Sequence, residues 1–142
     1  MNGYLLDTNV ISELRKPKPD SGLTKWVGTI PEKMLFLSSI TIGELRLGVE
    51  LVADAAKRDD LERWLVCELT PRFERRILPV SNEVADRWGR LEAHARLTTG
   101  KLPVMDAMIA ATALYHDLSV VTRNTRDFLR SGVPVVNPWK AG

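Results

Sequence analysis

One cysteine in 142 residues, Cys67, leaves no partner for an internal disulfide, so a disulfide-stapled scaffold is excluded. No apolar run approaches the ~20 residues needed to span a bilayer, and no membrane-embedded segment is expected. The start, "MNGYLLD", lacks the basic region, apolar stretch and small-residue cleavage site of a secretory signal. These absences together make a cytoplasmic protein the expectation. Nine glycines and eight prolines are too few for a fibrous or disordered chain. The two histidines, His94 and His116, have no metal-ligand spacing to each other or to Cys67, and Cys67 itself falls in an amphipathic helical pattern, where a half-buried, inert thiol is expected. Neither a Gly-rich phosphate loop nor a "GxSxG" elbow occurs. Aromatic residues make up only 6%, and Trp26, Trp64, Trp88 and Trp139 read as core or interface, not as a base-stacking platform.

What is present fits a single compact α/β domain. At this length one core should bury roughly two thirds of the surface that the unfolded chain exposes. The hydrophobic share is 44% and the charged share 27%. A formal charge of +2 hides basic clusters in "LRKPKP", "PRFERR" and "RNTRDFLR", which suit either a polyanionic substrate or a solvated surface.

Four short apolar stretches, 4–6, 34–39, 76–80 and 118–122, are bounded by turn or cap residues and followed by helical patterns, as buried parallel strands are. A weaker fifth strand is expected in 134–137. Between them, Ile42, Leu45, Val49 and Val52 share one helix face, and Leu61, Trp64, Leu65 and Leu69 another. Ser81 is the expected N-cap of a helix that buries Val84, Trp88, Leu91 and Ala95 and ends at Gly100. The stretch "VMDAMIAATALYH" is apolar nearly all round and should form a central helix. Strands alternating with helices predict a central parallel sheet of four to five strands with helices on both faces. No repeat or linker divides the chain, so residues 1–142 are expected to form one domain.

Functional groups of an open parallel sheet gather at the carboxyl ends of its strands. Asp7 ends the first strand, Glu44 follows the second, Asp106 opens the central helix and Asn124 follows the fourth strand. Three carboxylates within ~5 Å would repel by roughly 3 kcal/mol per pair at an effective dielectric of about 20. A proton, a basic side chain or a hard cation such as Mg²⁺ or Mn²⁺ must offset that. Each residue also has a purely structural reading: Asp7 and Asp106 as acids favoured at helix starts, Glu44 as the closing acid of a capping box begun by Thr41 in "TIGE", and Asn124 as the N-cap of "NTRD".

The order of the stretches "LLDTNVISEL", "SSITIGELRLGV", "PVMDAMIAATA" and "VVTRNTRDF" resembles that of the PIN-domain ribonucleases, in particular the VapC toxins of bacterial type II toxin–antitoxin pairs, close to the FitB-like branch. The resemblance runs from about residue 4 to residue 138. It implies that Asp7, Glu44 and Asp106 hold Mg²⁺ or Mn²⁺, with Asn124 at a catalytic position where many relatives have Asp; Asp127 compensates only if its helix turn points inward. Thr8 and Thr122 become candidate hydroxyl partners of the acids, and Arg46 and Arg123 candidate phosphate contacts. The implied reaction is hydrolysis of an RNA phosphodiester, a bound divalent ion supplying an activated water and polarising a phosphoryl oxygen. The implied partners are a second copy of the chain, a VapB-like antitoxin, and operator DNA only through that antitoxin; the apolar face of "LERWLVCEL" with the preceding helix is equally compatible with a groove for a partner helix and with core packing. Two other readings compete: a PIN-like binding module that has lost catalysis through Asn124, and a haloacid-dehalogenase-like phosphotransfer domain, which Asn9 weakens because an acid is expected two residues after the nucleophile.

Overall fold

The protein, here a computed structural model that describes residues 2–139, builds a five-stranded, wholly parallel sheet. The strands are β1 (Tyr4–Leu6), β2 (Leu35–Ser38), β3 (Ile77–Leu78), β4 (Ser119–Val121) and β5 (Val135–Val136), in spatial order β3-β2-β1-β4-β5. Successive side chains of a strand point to opposite faces, and each face carries its own core. Leu5, Phe36 and Val120 pack with the helices α6 (Asn82–Thr98) and α7 (Val104–Tyr115). Leu6, Leu35, Leu37 and Val121 pack on the other face with α1 (Thr8–Leu14), α2 (Ser21–Thr29), α3 (Ser39–Glu50) and α4 (Ala55–Trp64). Helices on both faces and the fifth strand agree with the sequence pattern.

Glycine is required at the first strand. Gly3 has φ +145°, and a Cβ there would lie 2.7 Å from the Met34 carbonyl oxygen, so β1 can approach the turn before β2 only without a side chain. Gly100, at φ +110°, ends α6 as expected and donates its N–H to the Ala95 carbonyl oxygen. Small residues of α7, among them Ala107, Ala110, Ala111 and Ala113, are fully or almost fully buried, which lets this helix lie close on the sheet. At the β3 edge, Arg72 and Arg76 both pair with Glu32 and hold its carboxyl down at about 2, while Arg76 also donates to the Leu35 carbonyl oxygen.

Two local expectations are corrected. The helix after β2 starts three residues early: Ser38 is its N-cap, accepting from Ile40 N–H, and Thr41 lies inside the helix, fully buried. Glu44 is therefore in the second turn and closes no capping box. A π-helical stretch (Leu65–Leu69) continues α4 into a short α5 (Thr70–Phe73), and Cys67 within it is exposed instead of half-buried. Among the described residues no helix is long and apolar enough to cross a membrane.

Candidate active site

The strand order reverses direction between β1 and β4, and at such a switch point a crevice opens outside the carboxyl ends of the strands. Pairing Leu6 with Val121 sets Asp7 beside Thr122. Asp7 caps α1: its Oδ1 accepts from Thr8 N–H at 2.8 Å. Its Oδ2 accepts from the Thr122 hydroxyl at 2.8 Å and from Asn9 Nδ2 at 3.3 Å. The Thr122 oxygen in turn accepts from Asn9 Nδ2 and from Asn124 N–H, and Asn9 Oδ1 accepts from Arg123 N–H. Hydrogen bonds thus stitch the ends of β1 and β4 together around one carboxylate. The structural and functional readings of Asp7 are compatible, since one oxygen caps the helix while the group lines a cleft.

Glu44 arrives from α3, where the Thr8 hydroxyl donates to its Oε1 at 2.6 Å and also lies 3.1 Å from the Thr41 hydroxyl. Asp106 lines the same cleft from the first turn of α7, whose buried residues pack on the other core from those of α3. Burial is the main cause that pushes its carboxyl up to about 6, with Asp7, Asp127 and Glu44 adding repulsion. Burial also raises Asp7, against the lowering effect of its bonds to Thr122 and Thr8; the nearby Glu44 raises it further. The dipole at the start of α7 favours an ionised Asp106, yet crowding and burial outweigh it.

These acids line a single cleft of about 420 Å³, together with Thr8, Asn9, Ser12, Glu13, Lys16, Arg123, Asn124 and Trp139. Among the described residues none of the three acids makes an ion pair. Asp106 has, among the described residues, no hydrogen bond that would stabilise its charge. The donor set is all oxygen, carries excess negative charge and is partly desolvated, which fits a hard divalent cation. Among the described residues no three His, Cys, Asp or Glu side chains are already gathered closely enough to enclose an ion. Uncompensated carboxylates are expected to stand apart in this way.

The cleft brings together all four positions singled out from sequence, Asp7, Glu44, Asp106 and Asn124. Asn124 occupies the N-cap position of α8 (Thr125–Arg130), but its side chain makes no cap hydrogen bond, so the capping explanation fails. Asp127 is tied to Arg130 at 2.9 Å and does not line the cleft. Arg46 pairs with Glu62 and Glu50 and also lies outside it, whereas Arg123 lines it. Sequence reasoning missed Ser12, Glu13 and Lys16, and it assigned Trp139, which lines the cleft, to core or interface. The first three had a signal: with Asn9 they fall at i, i+3, i+4 and i+7, a polar stripe along one face that begins in α1. Glu13 accepts from Lys16 Nζ at 2.9 Å and from Asp20 N–H, which anchors the loop beyond α1.

Comparison with known proteins agrees with this architecture. The toxin FitB of Neisseria gonorrhoeae is 39% identical over 135 residues, 95% of this chain and 97% of that protein. The VapC ribonuclease Y4jK of Sinorhizobium fredii is 35% identical over 96% of this chain and 97% of its own length. A solved structure of FitAB bound to an IR36 DNA fragment superposes with a TM-score of 0.91 at 36% identity, covering 98% of this chain and 97% of that one. The family model of the PIN domain matches residues 4–132. With the parallel sheet, the acids at its carboxyl edge and this match over most of its length, the chain belongs to the PIN domain family.

Proposed function

We propose that this chain is the toxin of a VapBC- or FitAB-type toxin–antitoxin pair and a metal-dependent endoribonuclease that hydrolyses RNA phosphodiester bonds. The observation that carries the reading is the convergence of Asp7, Glu44 and Asp106, with Asn124, on one cleft at the switch point of the sheet. Likeness to a protein named a VapC ribonuclease and to one named a toxin supports it. Asp7 and Asp106 would hold Mg²⁺, with Mn²⁺ as an alternative, and Glu44 would reach the ion through water. When bound, the ion supplies charge neutralisation at the phosphate and an acidified water.

The chain's own residues do the positioning. Three hydrogen bonds fix the Asp7 carboxylate, so it presents one geometry without reorganising. Thr8 holds Oε1 of Glu44, and Oε2 is left to accept a hydrogen bond from the attacking water and orient it in line with the scissile bond. Arg123 and Lys16, at the cleft wall, attract the phosphodiester backbone. Asn124 contributes an amide oxygen without charge.

The whole chain, 1–142, would act as one PIN domain in the cytoplasm, as a homodimer that binds a VapB-like antitoxin and reaches operator DNA through it. The solved structure of FitAB bound to a DNA fragment supports the part of that assembly in which a toxin–antitoxin complex meets DNA. An apolar groove between α1, α3 and α4, lined by Leu45, Val49, Leu61 and Trp64, adjoins the acidic cleft and would seat the antitoxin. The test is cleavage of a structured RNA pool by the purified chain with Mg²⁺ or Mn²⁺ against EDTA, with Asp106→Asn in parallel. Metal-dependent cleavage lost in the variant is expected. Equal traces from the two proteins would overturn the nuclease reading in favour of a module that only binds.

A further inference from the structure

We propose that Trp139 is a stacking platform for a nucleobase of RNA bound in the acidic cleft, and that Arg123 rests over it in the free protein and moves to a flanking phosphate when RNA enters. The inference deepens the ribonuclease reading and rests on it. Trp139 lines the cleft that holds Asp7, Glu44 and Asp106. It stands three residues beyond β5, at the same carboxyl edge of the sheet, and its N–H donates to Asn137 Oδ1 at 3.1 Å, which fixes the backbone of the turn. The side chain packs partly against the core that contains Leu6, Val10 and Val121, so the ring is seated firmly while remaining partly open. Trp26 meets Tyr4 edge-on and Trp88 packs against the α6–α7 core with its Nε1 buried; Trp64 also lies under an arginine, Arg15 at 5.1 Å, but it lines the neighbouring apolar groove and not the acidic cleft.

The Arg123 guanidinium sits 6.0 Å from the Trp139 ring centroid, at the far limit of a cation–π contact. It is exposed and makes no ion pair among the described residues, whereas Arg46, Arg72, Arg76, Arg90 and Arg130 all pair with acids. A weakly held cation over an aromatic face exchanges readily for a base, because a base stacks on the same face and its phosphate takes the cation. Single-stranded RNA is recognised largely in this way, by splayed bases on aromatic rings with arginine on the backbone. Stacking on a ring face tolerates all four bases, since every base has a π-face, but requires an unstacked one. The platform therefore selects single-stranded segments over paired stems, and the cleft of about 420 Å³ is within the range small ligands occupy.

The experiment uses the full chain carrying Asp106→Asn, with Mg²⁺, so that RNA is bound and not consumed. Binding of a labelled single-stranded adenosine oligonucleotide is followed by anisotropy, alongside tryptophan emission titrated with the unlabelled oligonucleotide or with inorganic polyphosphate. Trp139→Ala is expected to weaken oligonucleotide binding on the order of tenfold, and Trp139→Phe to restore most of it. The oligonucleotide is expected to quench emission that is missing from Trp139→Phe, and polyphosphate to leave it unchanged. Arg123→Gln should lower the slope of log affinity on log salt by about 0.7, the value for one phosphate contact on a single strand. Equal affinity of Trp139→Ala and its parent, or equal quenching by polyphosphate, overturns the platform alone. No binding of any RNA by the parent, with its fold verified by circular dichroism, overturns the ribonuclease reading beneath it. Should Trp139→Ala fail to fold, the quenching comparison with Trp139→Phe decides.

Discussion

Replacing Asp106 by Asn should stabilise the metal-free protein above pH 6 and destabilise it, relative to wild type, once a divalent ion is added. Burial and the neighbouring acids push the Asp106 carboxyl from 3.8 to about 6. At about 1.36 kcal/mol per pKa unit this corresponds to about 3 kcal/mol, and partial solvent access reduces it to about 1–2 kcal/mol. The direction follows from proton linkage. Between pH about 4 and 6 the folded state binds the proton more tightly than the unfolded chain, so stability falls as pH rises through that window and stays low above it. An amide cannot ionise, and among the described residues Asp106 has no stabilising hydrogen bond to lose. In EDTA at pH 8 the variant should therefore melt about 3–6 °C higher, from roughly 3 °C per kcal/mol in a domain of this size, while at pH 4 the two should coincide. Adding Mn²⁺ at about a hundred times its Kd should stabilise wild type by about 2.7 kcal/mol and the variant far less, reversing the order. Thermal unfolding followed by circular dichroism across pH 4 to 8, with and without Mn²⁺, reads all of this. Parallel pH profiles of the two proteins in EDTA would refute the crowding argument, and equal gains with Mn²⁺ would refute Asp106 as a ligand.

Three further outcomes test other parts of the structure. Thr122→Val keeps the shape but removes the donor to Asp7 Oδ2 and the acceptor for Asn9 and Asn124, so urea unfolding should show a loss of about 1–3 kcal/mol with an unchanged m value; no change would mean that the stitching is idle. Asn124→Asp adds a carboxylate to the cleft, and at about 6 Å in water-like dielectric its attraction for a dication is about 1.4 kcal/mol, or tenfold in affinity. Titration calorimetry with Mn²⁺ should show that tightening, and an unaltered Kd would place position 124 outside the ion's reach. Leu5→Ala, at the fully buried centre of the middle strand, should cost about 2–5 kcal/mol in the same urea assay.

The strands were legible because each is a short apolar run between cap residues, and even the two-residue β5 falls inside 134–137. The start of α3 was not, because "SSIT" offers several hydroxyls able to cap and the local rule cannot choose among them. The sheet chooses: β2 pairs as far as Ser38, so Ser38 is where the chain must turn, and Thr41 is carried into the core. Cys67 failed for a different reason. At 100° per residue Cys67 falls roughly 200° from Leu65, away from the face that Leu65 and Leu69 bury, so the period itself turns the thiol outward, and the expectation of half-burial rested on the amphipathic segment as a whole instead of on this position.

For the site, spacing along the chain suggested which residues lie at strand ends but carried no information on which ends adjoin. Neighbouring ends depend on sheet order, and Asp7 meets Thr122 only because β1 lies between β2 and β4 with Leu6 in register with Val121. That register links the chemistry to the core. The strand pair that places the acid also buries Leu6 and Val121 at its base, so a shift of one residue would turn these side chains to the wrong face and break the Asp7–Thr122 bond together. Among the described residues Glu44 and Asp106 are held less directly, the first by one hydroxyl and the second by the course of α7 alone. Binding an ion would therefore move Asp106 and Glu44 toward an Asp7 that stays in place, and the cost of bringing the three together falls on the two acids that the fold restrains least.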